Sequence, residues 1–188
     1  MKTLYRRAEH NFSYLRPHIV GKSVLDIGAA EGWTGEMIRS DDPGRQVQLL
    51  DVDDFNQTDL PLTVYDGQTI PFNDKSFDTS CLCLILHHCD DPDRVLSEAM
   101  RVTRKRLIIT ESVYHYKIGR ALLYIADNIV NGLRTHSQMA KALHFRKSDE
   151  WERRFLEMGL AVQQRVWISR GFHKHILYVL ERDKEQKI

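Results

Sequence analysis

The chain has 188 residues, with 27 Lys and Arg against 26 Asp and Glu, for a formal net charge of +1. That length suits one domain with a sizeable core, and the balanced charge gives no overall pull toward nucleic acid or a membrane surface. Three cysteines, all between Cys81 and Cys89, offer no disulfide framework; no apolar run approaches the ~20 residues of a membrane span and the N-terminus lacks a signal peptide's apolar core, so a reducing cytoplasm is expected.

Over residues 1–20, Leu4, Tyr5, Ala8, Phe12 and Leu15 fall near helical spacing, and Pro17 should end that helix. Arg6, Arg7, His10 and Arg16 read as its solvated face. Residues 24–27 form a short apolar strand that breaks into Gly28, Ala29, Ala30, Glu31 and Gly32. Such a bend of tiny side chains lets a ligand approach the backbone, and the helix that follows, to about Ser40, offers N–H groups at its start. A dinucleotide fingerprint would need Gly at position 33, where this chain has Trp33. Residues 41–44, Asp-Asp-Pro-Gly, make a turn. Residues 47–52 form a second strand with Asp51 at its end, 19 positions after Gly32. An acid about 20 residues past the glycines accepts hydrogen bonds from ribose hydroxyls in nucleotide-binding α/β domains; Asp53 and Asp54 follow it directly and leave the register open. Residues 55–64 read as loop.

Residues 65–78 run Tyr-Asp-Gly-Gln-Thr-Ile-Pro-Phe-Asn-Asp-Lys-Ser-Phe-Asp. Residues 79–86 form a central strand, apolar on both faces toward its end. His87, His88, Cys89, Asp90, Asp91 and Pro92 follow it, at the edge where open α/β sheets bind ligands. The His and Cys residues do not make a zinc spacing and no metal is expected. His88, and less readily His87, is a candidate general base, the unperturbed pKa being about 6.5. Residues 93–102 are an amphipathic helix, Arg104, Lys105 and Arg106 a basic turn, and residues 107–110 a fifth strand ended by Glu111. Two helices are expected within 114–145, then a helix with Ser148 as its N-cap and Gly159 closing it, then strands at 160–169 and 173–180. The tail from Glu181 is expected to fray.

Three of these features, in this order, resemble the class I S-adenosylmethionine-dependent methyltransferases, in their small-molecule branch. Asp26-Ile27-Gly28-Ala29-Ala30-Glu31-Gly32 is similar to the family's acidic residue followed by G-x-G-x-G, with Ala30 in place of the usual Gly. Asp51 matches the strand-end acid. Residues 66–78 match the pattern of Asp, small residue, aliphatic residue, Pro, Phe and Ser-Phe-Asp, and Leu86-His87-His88 before Asp91-Pro92 continues it. Arg104 to Arg106 depart from the family's Pro-Gly-Gly.

The resemblance implies one domain over 1–188 with a Rossmann-like three-layer α/β sandwich. Its seven-stranded sheet would be mostly parallel with an antiparallel last strand. Residues 1–20 would form a lid helix, and 114–146 a helical cap inserted after the fifth strand. It implies S-adenosylmethionine as cofactor: Gly28, Ala29, Ala30 and Gly32 around the methionine part, Asp26 bracing the loop, Asp51 and Val52 at the ribose, Asp66, Gly67 and Ile70 at the adenine, and Cys83 and Leu84 on the substrate side. It implies methyl transfer by in-line displacement to a small-molecule acceptor. Two alternatives stand beside it. One is a methyltransferase-like module that binds a nucleotide or partner without chemistry. The other is an RNA methyltransferase, although the Lys-Asp-Lys-Glu set of its ribose-methylating branch has no counterpart here. The acceptor, its accepting atom and the oligomeric state are not encoded in any motif.

Overall fold

The computed structural model describes residues 2–114, 144–169 and 174–183. Strands β1 (Ser23–Ile27), β2 (Gln46–Asp51), β3 (Leu62–Val64), β4 (Phe77–Cys83), β5 (Thr103–Val113), β6 (Leu160–Trp167) and β7 (Lys174–Arg182) form one sheet in the order β3-β2-β1-β4-β5-β7-β6. β1 to β5 pair in parallel, and β7 runs antiparallel to both β5 and β6. Helices α1 (Lys2–Leu15), α2 (Trp33–Asp41), α3 (Pro92–Val102) and α4 (Ser148–Glu157) cover it.

The three layers follow from alternation along the strands. Leu25 and Ile27 of β1 join Leu82, Val95, Leu96, Trp151, Phe155 and Tyr178 in one apolar cluster, under α3 and α4. Val24 joins Leu15, Ile38, Leu49, Cys81 and Leu177 in the other, under α1 and α2. β7 shows the division within itself: Ile176, Tyr178 and Leu180 face one cluster, Leu177 and Val179 the other.

Several expectations are corrected. Residues 55–64 contain the edge strand β3, three residues long. Arg104, Lys105 and Arg106 lie inside β5 rather than in a turn. The positive charges leave the sheet at its rim, with Lys105 3.1 Å from Asp78 and Arg106 paired with Glu181. β4 ends at Cys83, and Leu86–His88 is a turn of 3-10 helix. Ser148 is the first residue of α4 rather than its N-cap, which is Lys147; the Lys147 N–H donates to the Glu150 carboxylate at 2.7 Å. The expected cap helices within 114–146 lie almost wholly outside the described residues.

The chain leaves β1 toward β2 and β3 on one side and returns to β4 on the other. Adjacent parallel strands whose connections diverge leave a crevice at their carboxyl ends. That crevice, at the ends of β1 and β4, is the candidate site.

Candidate cofactor cleft

The bend after β1 is built from left-handed residues. Gly28 has φ 71°, and a Cβ there would collide with the Ile85 side chain. Gly32 has φ 81°, and a Cβ there would lie 2.7 Å from Asn56 Oδ1. Ala30 between them has φ 47°, so it bears the strain of roughly 1–2 kcal/mol that a left-handed L-residue carries. The bend does not present its amides as open donors, contrary to expectation. Gly28 and Ala29 N–H both donate to the Leu50 carbonyl, at 2.7 and 3.2 Å, and Gly32 N–H donates to Ala29 O at 2.9 Å. Ala30 N–H donates to Asp51 Oδ2 at 2.7 Å. The small residues therefore serve by shape, and the carboxylate of Asp51 holds Ala30 in its strained conformation.

Asp51, 8 % exposed, also accepts from the Val52 N–H at 2.7 Å through Oδ1. Burial raises its pKa, while the Ala30 and Val52 amides oppose the shift. The Asp53 amide also donates to Asp51, so three of its roughly four lone-pair sites are taken. Asp26 is more deeply placed, at 1 % exposure. Its Oδ2 has no hydrogen-bond partner among the described residues. Burial, then the charge of Asp51, push its pKa up to about 7, against the Gly35 amide.

Asp26 opens on a cleft whose floor and walls include Gly28, Ala30, Trp33, Leu84 and His88. α1 lines the cleft with Leu4, Arg7, Ala8 and Asn11, on the helix that the resemblance implied as a lid. Asn11 was not singled out in the sequence, although it falls in register with Leu4, Ala8 and Leu15. Cys83 lines the cleft too, and burial drives its thiol pKa far above the ordinary value, so it acts as wall rather than nucleophile. Leu84 takes φ 59°, a second strained residue at this rim.

The Asp66–Gly67 loop joins the same edge, because Tyr65 N–H donates to the Asp51 carbonyl at 3.0 Å. Asp66 is exposed, and its Oδ1 accepts from Thr69 and Gln68 N–H at 2.8 Å each, which lowers its pKa. Gly67, at φ 77°, lies against Val52, which is 58 % exposed and offers an apolar surface. Ile70 corrects an expectation. It is 1 % exposed, belongs to the core and donates its N–H to Glu98 at 2.9 Å, so it backs the loop instead of facing open space.

The two histidines separate. His87 is buried: Nδ1 lies 2.6 Å from Glu111 Oε2 and its ring stacks on Phe145 at 4.8 Å. Glu111 also accepts from Leu86 N–H at 2.9 Å. Glu111 thus fixes the 3-10 turn, and His87 is withdrawn from the cleft. His88 lines the cleft, with its ring 4.2 Å from that of His87. Among the described residues no cluster of His, Cys, Asp and Glu is arranged to hold a metal. No described helix is long and apolar enough to cross a membrane.

The residues present fit an adenosyl sulfonium: a buried carboxylate with an unused lone pair for a cation, a strand-end acid beside an apolar surface, and a bend of mostly small side chains. Residues 25–109 match the family model described as a methyltransferase domain. A demethylmenaquinone methyltransferase of Paenarthrobacter aurescens is 28 % identical over 143 residues, covering 66 % of this chain and 56 % of that protein. The matched stretch thus spans little more than half of the relative's length. A chain of the complex between the Haloferax volcanii Trm112 methyltransferase activator and a methyltransferase superposes with TM-score 0.75 at 17 % identity, covering 97 % of this chain and 93 % of that one. The magnesium protoporphyrin IX methyltransferase of Synechocystis PCC 6803, solved with bound S-adenosylhomocysteine, gives TM-score 0.66 at 14 % identity, covering 95 % and 83 %. At such identities the solved structures establish the fold. Together with the sheet order they show that this chain has the class I methyltransferase fold, and residues 25–109 carry the methyltransferase-domain match.

Proposed function

We propose that the cleft at the ends of β1 and β4 binds S-adenosylmethionine and that the protein transfers its methyl group directly to a small-molecule acceptor. The observation that carries this reading is Asp26 Oδ2, a buried carboxylate oxygen without a partner, at the floor of a cleft whose wall is a bend of small residues. The cofactor supplies an electrophilic methyl on a cationic sulfonium, so the protein's task is orientation and exclusion of water. Gly28, Ala29, Ala30 and Gly32 leave room for the methionine part. Asp51 accepts from a ribose hydroxyl, Val52 packs on the base, and Asp66 with Gly67 reads its edge. Leu84 and Cys83 close the substrate side. His88 is the side chain on the cleft able to take a proton from the acceptor. α1 acts as the lid. A small acceptor is favoured by the match to an enzyme named for demethylmenaquinone, and by a net charge of +1, which argues against a phosphate backbone.

Calorimetry with S-adenosylmethionine and S-adenosylhomocysteine tests the reading. Both should bind in the micromolar range, and Asp51→Ala should weaken both at least tenfold, because a hydrogen bond to a charged acceptor contributes about 1.5–3 kcal/mol. Absence of heat and of any melting shift with either ligand would refute it. Methyl transfer to members of a panel of small acceptors would identify the substrate.

A further inference from the structure

Residues 65–76 carry the proposed contacts to the base, yet between β3 and β4 they form no helix or strand. A hydrogen-bonding edge on such a loop needs support from a rigid element, and one side of α3 supplies it. Arg94, Glu98 and Arg101 recur at spacings of four and three, which puts them on one side of the helix. That side adjoins the buried stripe of Val95, Ala99 and Val102, which fixes α3 on the sheet. Glu98 Oε2 accepts from the Ile70 N–H at 2.9 Å. Arg101 donates to the Phe72 and Ile70 carbonyls through its two terminal nitrogens, at 2.8 Å each. Nε and Nη2 of the same guanidinium hold both oxygens of Glu98 at 2.8 Å, a two-pronged pairing that locks the two side chains in one geometry. Arg94 reaches the Gln68 carbonyl and Thr69 Oγ1 at 3.4 and 3.3 Å.

The clamp meets the Asp66 turn at its end. Asp66 Oδ1 accepts from the Gln68 and Thr69 N–H groups at 2.8 Å each, so the aim of its carboxylate and of the Gly67 N–H depends on where Thr69 and Ile70 stand. We infer that Glu98 and Arg101 are positioning residues for the cofactor's base: they hold Ile70 and Phe72, and through them keep Asp66 and Gly67 in register with the adenine edge. The inference rests on the proposed function and extends it from residues that would touch the base to two that would not. Adenine presents an amino donor beside a ring-nitrogen acceptor. A carboxylate and an N–H discriminate that edge only while their spacing is held, because hydrogen bonds weaken steeply as their geometry departs from line. A partly exposed ion pair by itself contributes little. What sets this pair apart is its three contacts with the loop backbone, at Ile70 N, Ile70 O and Phe72 O.

S-Inosylhomocysteine is S-adenosylhomocysteine with the 6-amino group replaced by oxygen and the neighbouring ring nitrogen protonated, so both hydrogen-bonding positions of the edge are reversed. By calorimetry, the unaltered protein should bind S-adenosylhomocysteine at least tenfold more tightly than this analogue. Arg101→Met keeps the aliphatic stem and removes every donor. It should bring the ratio below threefold, by weakening S-adenosylhomocysteine while the analogue's affinity changes less than twofold. Glu98→Gln keeps an acceptor for the Ile70 N–H and loses the charge that holds Arg101, and it should lower the ratio in the same direction by a smaller factor. Melting curves verify folding. An unchanged ratio in Arg101→Met, or in Glu98→Gln where Arg101→Met does not fold, overturns the inference. So does an equal loss for both ligands, which marks a packing role for the clamp. A ratio below threefold in the unaltered protein, with S-adenosylhomocysteine still bound, overturns it as well and leaves the methyl-transfer reading standing. If the unaltered protein binds neither ligand, that reading fails and takes this assignment with it.

Discussion

Asp26→Asn separates what the fold tolerates from what the ligand needs. The unfolded chain ionises Asp26 near pH 4, and the folded chain near 7. A folded-state pKa raised above the unfolded value means that the folded protein binds a proton that the unfolded chain has lost. The group is therefore neutral in its effect below about pH 4. It becomes progressively destabilising as pH rises and reaches its full penalty above about 7. Three units at 1.36 kcal/mol each give about 4 kcal/mol at most. Asn cannot ionise and removes that penalty. Its amide then places two N–H donors where Oδ2 lies without a partner, at a cost of about 1–3 kcal/mol that does not vary with pH. The variant without ligand should thus be more stable than the parent at pH 8 by about 1–3 kcal/mol. Between pH 8 and 5 that advantage should shrink by about 2.7 kcal/mol, two units' worth. Urea denaturation of both proteins at several pH values measures the difference of differences. Cofactor affinity should move the other way and be largely lost in the variant, because the carboxylate is the buried anion facing the ligand's cation. A stability difference that is flat from pH 5 to 8 would refute the reasoning, since Asp26 would then ionise as freely folded as unfolded.

Ala30→Gly should relieve the left-handed strain of roughly 1–2 kcal/mol against the extra freedom of Gly in the unfolded chain, about 0.5–1 kcal/mol. A net gain of up to about 1 kcal/mol in chemical denaturation is expected, and a clear loss would contradict φ 47° at this residue. Glu111→Ala should destabilise by about 3–5 kcal/mol, as when one partner of a buried pair is removed, because Leu86 N–H and His87 Nδ1 both lose their acceptor. In thermal melts that is a fall of at least ~6 °C for a chain of this size, and a fall under 2 °C would mean that Glu111 does not hold the turn.

The central sheet was legible because β1, β2 and β4 are apolar runs ended by small or acidic residues, and the helices between them carry plain turns. The edge was not. β3 has two half-buried residues and one exposed, Val64, so no burial pattern marks it. Arg104 to Arg106 concealed the start of β5 because strands at a sheet's end send long side chains to the rim, where Asp78 and Glu181 receive them from positions 27 and 75 residues away. The site shows the same division. Gly28, Gly32 and Asp51 stood out by local spacing, and Asp26 only through the family resemblance. That the bend's amides would be spent on Leu50 and Asp51 was not, since it depends on where β2 ends relative to β1. Likewise Glu111 lay at the expected edge, but its partner His87 is fixed by sheet order, 24 residues away in sequence.

The left-handed residues Gly28, Ala30 and Leu84 line one cleft, Gly32 belongs to the same bend, and two of the buried acids, Asp26 and Asp51, open on the cleft or brace it. Lys75, the remaining non-glycine residue of this kind among those described, lies away from it in a turn whose N–H reaches Arg101. Most of the fold's local cost is thus gathered where β1, β2 and β4 end, while β5 to β7 pack by ordinary alternation. A ligand that binds the folded chain at 100 times its Kd adds about 2.7 kcal/mol. If that ligand carries the cation facing Asp26, part of its binding energy offsets the buried charge. Its stabilising effect should then be larger at pH 8, where Asp26 is ionised before the ligand arrives, than at pH 5, where a proton must first leave. A neutral ligand in the same cleft would show no such dependence on pH from Asp26, so melting shifts with 5′-methylthioadenosine, which lacks both sulfonium and amino acid, supply the control.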